Sequence, residues 1–277
     1  HLIEDPEIID WIQQLGQRLA NRASGRFSPF YFAVNQDNSV NAFAMPGGVV
    51  IINTGLITSA HSETEVAAVI AHEIAHITQR HIARQLYASK ASPLITGLGI
   101  LAGAAVASKS SDAAEAIIAG TIATNMHQQL SYSRAHETEA DRMGIRIMAS
   151  AGFSPTAMAD FLEQLERGQS SLYGDISKYL SSHPLGIERL SDVRSHANQY
   201  HIPLKPDSLQ FKLIQTKLRN LADDQSTSGD PIQARYASAL RALRYSQGAQ
   251  ALTLAQKLPT SPAAQLLHAQ ALNATQH

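Results

Sequence analysis

His72 and His76 lie four residues apart, with Glu73 between them, inside the apolar and helix-favouring run 71–77. At 3.6 residues per turn this step puts both imidazoles on one helix face, where they can share a metal ion. Glu73 is rotated by about 100°, so its carboxylate can reach a water beside the metal without filling a coordination position. Residues of these types at this spacing suit metal-assisted peptide hydrolysis, with the histidines as ligands and the glutamate as general base. So short a pattern can also arise by chance on a solvated face. Val66, Ala67, Val69, Ile70, Ile74 and Ile77 argue against that, because they make the helix largely buried, where unpaired His and Glu are costly.

A second cluster runs Ala135-His136-Glu137-Thr138-Glu139-Ala140-Asp141-Arg142 and leads into Met143, Ile145, Ile147 and Met148, again at helical spacing. Glu137 and Asp141 share a face, so one carboxylate can be a third metal ligand and the other can accept from a ligand histidine's free N–H. A salt-bridged surface helix is the alternative. Glu139 is turned about 200° from Glu137 and is expected to point elsewhere. His81, about 140° around the helix from His76, is expected at the surface or an interface. His61, His196, His201 and His268 have no partner at ligand spacing and read as structural. With no cysteine in the chain, a zinc site must use His and carboxylate ligands. The expectation is one Zn2+ per chain on His72, His76 and Glu137, with Glu73 taking the proton of a water at the fourth position and passing it to the leaving amine.

The elements that must position these residues follow from periodicity. Residues 6–22 read as an amphipathic scaffold helix. Short strands over 27–34, 40–45 and 49–52, separated by Asn35-Gln36-Asp37-Asn38 and Pro46-Gly47-Gly48, suggest a small antiparallel sheet just before the His-Glu helix. Its exposed edge can take an extended peptide as an added strand, or it is a structural meander only. Ser62-Glu63-Thr64-Glu65 has capping-box spacing, so the metal helix should begin at Glu63 and run to about Tyr87. The stretch 91–125 is apolar and glycine-rich but too short between charges to span a bilayer. It reads as a buried helical hairpin, with membrane-surface contact through 93–123 as the alternative. Beyond Gln199, Pro203 and Pro206 mark a linker, 211–221 is a helix, and 223–231 is a polar loop. Two helices parted near Gly248 and closed by Pro259 and Pro262 resemble a tetratricopeptide unit, with 263–272 beginning the next, so the chain is read as stopping inside an array. The expected fold is α+β and mainly helical, with a metalloprotease domain over 1–200 and a linker helix with the start of a repeat array over 201–277.

With 44% hydrophobic residues the chain can bury a full core, and a net charge of -1 leaves no basic footprint for nucleic acid. Glu4, Asp5 and Glu7 interrupt the first residues, so they do not read as a secretory leader.

Taken together, His72-Glu73-x-x-His76 and Glu137-x-x-Ala140-Asp141 resemble the glutamate-liganded zincins related to the CAAX-processing and heat-shock membrane metalloproteases. Asn41-Ala42-Phe43-Ala44-Met45-Pro46-Gly47-Gly48, Thr78-Gln79-Arg80-His81, and Ser182-His183-Pro184-Leu185 through Arg189-Leu190 are similar to further segments of that family. The resemblance covers roughly residues 1–200 and is closest to the periplasmic subgroup that joins this domain to tetratricopeptide repeats. By spacing alone His183 is a loop histidine before Pro184, and Arg189 is a helix residue free to form a salt bridge. The resemblance implies instead that His183 can fill the fourth zinc position and inhibit the enzyme, and that Arg189 helps catalysis by stabilising an oxyanion. It implies substrate binding along Asn41, Ala42, Phe43 and Ala44. It also implies a periplasmic location, unfolded or misassembled outer-membrane proteins as substrates, and contact with the barrel assembly machinery through the repeats. The competing reading is a chaperone or adaptor for outer-membrane assembly whose zinc site is closed.

Overall fold

The computed structural model describes residues 1–23, 29–88, 132–167, 175–222 and 229–275. The apolar stretch 91–125, the start of the first strand at residue 27 and most of the 223–231 loop lie outside them. The described chain is mainly helical with one small sheet, an α+β fold. It divides into two compact units, one of residues 1–4 and 12–205, the other of residues 5–11 and 206–277.

In the first unit, α1 (Pro6–Ala20) contributes its later turns, whose Gln13 and Gln17 side-chain amides donate to the Phe32 and Phe30 carbonyls. Strands β1 (Tyr31–Asn35), β2 (Ala42–Met45) and β3 (Val49–Asn53) form a sheet of order β1-β3-β2. The sheet is mixed, which corrects the antiparallel expectation: β2 runs antiparallel to β3, but β1 is parallel to it, with Tyr31 opposite Val49. The 42–53 hairpin turns at Gly47 and Gly48, with φ of 92° and 89°, a region that favours glycine. The Asp37–Ser39 segment links β1 to β2, and these two strands lie on opposite sides of β3 and run in opposite senses. There Asp37 accepts from the Ser39 amide and hydroxyl and pairs with Lys178 at 3.0 Å.

A short α2 (Thr54–Ser59) leads into α3 (Glu63–Thr78), which starts where the capping box places it. Ser62 Oγ accepts from the Glu65 amide, and the Glu65 carboxylate accepts from the His61 amide and from Gln164. Every residue of α3 from Thr64 to Ile77 is buried. The helix does not continue to residue 87. Arg80 adopts φ 55°, in the left-handed region, and a separate helix α4 (His81–Ala88) begins after it. Around α3 pack β2, α5 (Arg134–Ser150) and α6 (Thr156–Arg167). Helix α7 (Ser177–Ser182) and α8 (Ile187–Ala197), which packs on α5 and α6, are the remaining elements of the unit among the described residues.

The second unit contains α9 (Leu209–Leu221), α10 (Pro231–Arg244), α11 (Gly248–Ala255) and α12 (Pro262–Ala274), each packed on the next. Leu213, Tyr236, Ala239, Ala255, Ala263 and Leu267 form its core. Proline opens α10 and α12 behind the caps Asp230 and Ser261, a position where its missing N–H costs nothing. Lys217 is buried between Asp5 and Glu7, at 2.6 and 3.0 Å. Among the described residues no helix is long and apolar enough to cross a membrane.

Candidate metal centre

His72 and His76 project from α3 with their Nε2 atoms 2.9 Å apart, and both are buried. Opposite them, α5 comes unusually close because Gly144 has no side chain. A Cβ there would lie 2.8 Å from Met158 Cε and 3.3 Å from the His72 backbone nitrogen. Two turns earlier on α5 the same approach delivers Glu137, whose Oε1 lies 3.3 Å from His76 Nε2 and whose Oε2 lies 3.5 Å from His72 Nε2. His183, at the C-terminal cap of α7, places Nδ1 3.3 Å from His72 Nε2 and 3.1 Å from Glu137 Oε1.

His72, His76, Glu137 and His183 thus offer four buried donor atoms, all within 4.8 Å of one another. Zinc bonded tetrahedrally at about 2.0–2.1 Å needs donors about 3.3 Å apart, and the spacings here cluster around that value. The residues fit a zinc ion. Glu73 is buried beside them with Oε1 3.4 Å from His183 Nε2, and among the described residues neither of its oxygens accepts a hydrogen bond of normal geometry. Burying a carboxylate in this way is costly unless it serves a ligand or a reaction.

The charges sort by environment. Burial raises the Glu73 pKa, against the pull of His183 and His72. Burial would also raise Glu137, but the charges of His183 and Arg189 hold it well below the usual carboxylate range. Asp141 is similarly pulled down to about 2, chiefly by Arg189 against its burial. Burial lowers His76 well below its ordinary value, whereas the hydrogen bonds from His72 to Asp141 and Glu137 overcome burial and raise His72 to about 10.

Asp141 Oδ1 lies 2.9 Å from His72 Nδ1, the ring nitrogen turned away from the donor cluster. Arg189 is buried and bridges both acids, with Nε and Nη2 donating to Asp141 at 2.7 and 2.9 Å, and Nη1 donating to the Pro184 carbonyl and lying 2.7 Å from Glu137. Asn41, Ala42, Phe43 and Ala44 lie at and on β2, an edge strand among the described residues, and all four are buried. Phe43 joins Met45, Val49 and Ile51 on one face of the sheet. Ala44, on the alternate face, brings its backbone amide near enough to Glu73 to oppose the rise in its pKa.

One expectation needs correction. His81 is not at the surface: it is fully buried, with Nδ1 2.9 Å from His76 Nδ1. On a continuous helix it would face away, but the left-handed turn at Arg80 swings α4 so that its first residue points back at His76. Glu139 points away from the donor cluster, and its Oε2 lies 3.2 Å from His81 Nε2 and 2.8 Å from Arg84 Nη1. Two aromatic neighbours also escaped the sequence reading. Tyr132 stacks on His76 with centroids 3.8 Å apart, and Tyr179 stacks on His183 at 4.6 Å. No fixed spacing links Tyr132 to His76; Tyr179, four residues before His183 and so on the same helix face, carried the only signal.

The family model for peptidase family M48 matches residues 8–197. The chain is 36% identical over 230 residues to the beta-barrel assembly-enhancing protease of Escherichia coli, a match covering 82% of this chain and 47% of that protein. It is 39% identical over 207 residues to a putative beta-barrel assembly-enhancing protease of Vibrio cholerae, covering 74% of this chain and 42% of that one. A more distant match, 30% over 163 residues, joins 58% of the chain to 44% of the mitochondrial metalloendopeptidase OMA1 of Schizosaccharomyces pombe. The chain spans about half the length of these relatives. With the family model covering well over half of its residues, the chain belongs to peptidase family M48.

Proposed function

We propose that the chain carries the catalytic domain of a periplasmic zinc endopeptidase that degrades misassembled outer-membrane proteins and assists their assembly, and that His183 holds it latent. The observation that carries this reading is the set of four buried donors within 4.8 Å of one another with the Glu73 carboxylate beside them. His72, His76 and Glu137 would hold the ion, which when bound supplies Lewis acidity toward a water and a peptide carbonyl. Glu73, its pKa raised by burial, accepts the water's proton and returns it to the leaving amine. Asp141 fixes the His72 tautomer by accepting from Nδ1. Arg189 has Nε, Nη1 and Nη2 committed to Asp141, Glu137 and Pro184, so we assign it to positioning those acids, not to the oxyanion. A peptide laid along β2 from Asn41 to Ala44 would run beside Glu73 with its backbone groups paired to the strand.

His183 supplies the fourth donor, the position a water needs, so the enzyme is closed while it stays there. The following loop, Pro184–Gly186, and the first turn of α8 border a cleft of about 460 Å³ that also reaches Glu137 and Arg189, which among the described residues gives the loop room to withdraw. Relatives named beta-barrel assembly-enhancing proteases support the substrate class, and the helices of the second unit, read as tetratricopeptide-like, would dock the barrel assembly machinery. The test is cleavage of an unfolded outer-membrane barrel protein by wild type, Glu73→Gln and His183→Ala. Glu73→Gln should cut about 10²–10⁴-fold more slowly, and His183→Ala faster than wild type. Equal cleavage by Glu73→Gln removes the hydrolytic mechanism, and a His183→Ala no faster than wild type removes the latch.

A further inference from the structure

Beyond the ligands, the two histidines of α3 are supported by different devices. His72 Nδ1 meets a carboxylate directly, Asp141, which is anchored in turn by Arg189. Among the described residues His76 Nδ1 meets no carboxylate; it faces His81 Nδ1 at 2.9 Å, His81 Nε2 faces Glu139 Oε2 at 3.2 Å, and Glu139 is held by Arg84 at 2.8 Å. One assignment of protons satisfies every contact. With Nε2 turned to the donor cluster, neutral His76 carries its proton on Nδ1 and donates to His81 Nδ1. His81 then carries its own proton on Nε2 and donates to Glu139, whose charge is matched by Arg84.

We propose that His81, oriented by Glu139 and Arg84, is a positioning residue that fixes the tautomer and ring angle of the ligand His76. The burial gradient suits this chain of contacts, since His81 is fully buried while the Glu139 and Arg84 side chains are 39% and 50% exposed, so the carboxylate stays solvated and ionised. Stacking of His136 on His81, centroids 4.4 Å apart at 14°, restricts the ring from its other face. The left-handed Arg80 exists at some conformational cost, and returning His81 to His76 is what that turn accomplishes. A buried histidine that merely fills space would need no such ordered set of partners.

The inference rests on the reading of His76 as a metal ligand, and its test separates the two. The full chain is stripped of metal, and zinc affinity is measured by chelator competition for wild type, His81→Leu, His81→Asn and Glu139→Ala, with the melting of each metal-free protein recorded. Asparagine places its amide oxygen near the position of His Nδ1 and can accept from His76, whereas leucine cannot. The expected result is about 10–100-fold weaker zinc binding for His81→Leu, recovery of most of that loss in His81→Asn, and a smaller weakening in Glu139→Ala with unchanged melting. If His81→Leu binds zinc as tightly as wild type, or His81→Asn does no better than leucine, the positioning role is overturned. Should His81→Leu fail to fold, the exposed Glu139→Ala decides, and unaltered affinity there overturns it. A wild type that binds no zinc overturns the ligand reading itself.

Discussion

At the scale of single residues, what could be read from the sequence was what a regular helix guarantees. A four-residue step fixes the relation of His72 to His76 and of Glu137 to Asp141 wherever the helices go, and the structure brings His72, His76 and Glu137 together with His183. His81 could not be read the same way, because its direction depends on one backbone angle, φ 55° at Arg80, that no residue type announces. A glycine or asparagine there would have signalled the break; arginine does not. Glu139 was discounted for its angle from Glu137, which is correct, and the partner it actually serves arrived from α4. Asp141→Asn should weaken zinc binding by about 10–100-fold, because an amide accepts less strongly from His72 Nδ1 and no longer balances Arg189. Calorimetric or chelator titration of the metal-free protein measures it, and binding as tight as wild type would contradict the assigned contact.

At the scale of elements, the site depends on how closely α3 and α5 approach. Gly144 permits it, and nothing in the residue pattern singles that glycine out from others in helical runs, since its role lies in the Ala71–His72 backbone across the contact. Gly144→Val should force the helices apart, destabilising the fold by about 1–3 kcal/mol and weakening zinc binding by displacing Glu137. Denaturant melting and metal titration of one preparation measure both effects. Mixed pairing of the sheet was likewise hidden, because strand periodicity says which face is buried but not which way β1 runs beside β3. Asp37 in that β1–β2 connection is tied to Lys178 on α7, the helix that ends at His183. Burial would raise its pKa, but the Ser39 hydroxyl and amide and Lys178 lower it. A lowered folded-state pKa gives stability that is present above the unfolded value of about 3.9 and is lost as pH falls through the folded value. Asp37→Asn should therefore cost about 1 kcal/mol near neutral pH, and its difference from wild type should shrink toward zero in acid. Urea melts at several pH values measure this, and a difference that grows with acidity would contradict it.

At the scale of the whole molecule, the α+β, mainly helical class followed from composition and periodicity, because long amphipathic runs outnumber the three short strands. The grouping of residues 5–11 with 206–277 did not, since Lys217 finds Asp5 and Glu7 across most of the chain and such pairing leaves no local pattern. A zinc ion on the proposed ligands would link positions 111 apart, from His72 to His183, so metal removal should lower the melting temperature of the first unit by several degrees, in the sense that a ligand bound only to the folded state requires. The central claim is that His72, His76 and Glu137 hold one catalytic zinc served by Glu73. Metal analysis of purified wild type, Glu73→Gln and Glu137→Gln after dialysis tests it most directly. One zinc per chain in wild type and in Glu73→Gln, with loss of zinc in Glu137→Gln, is the predicted result; stoichiometric zinc retained by Glu137→Gln would contradict it.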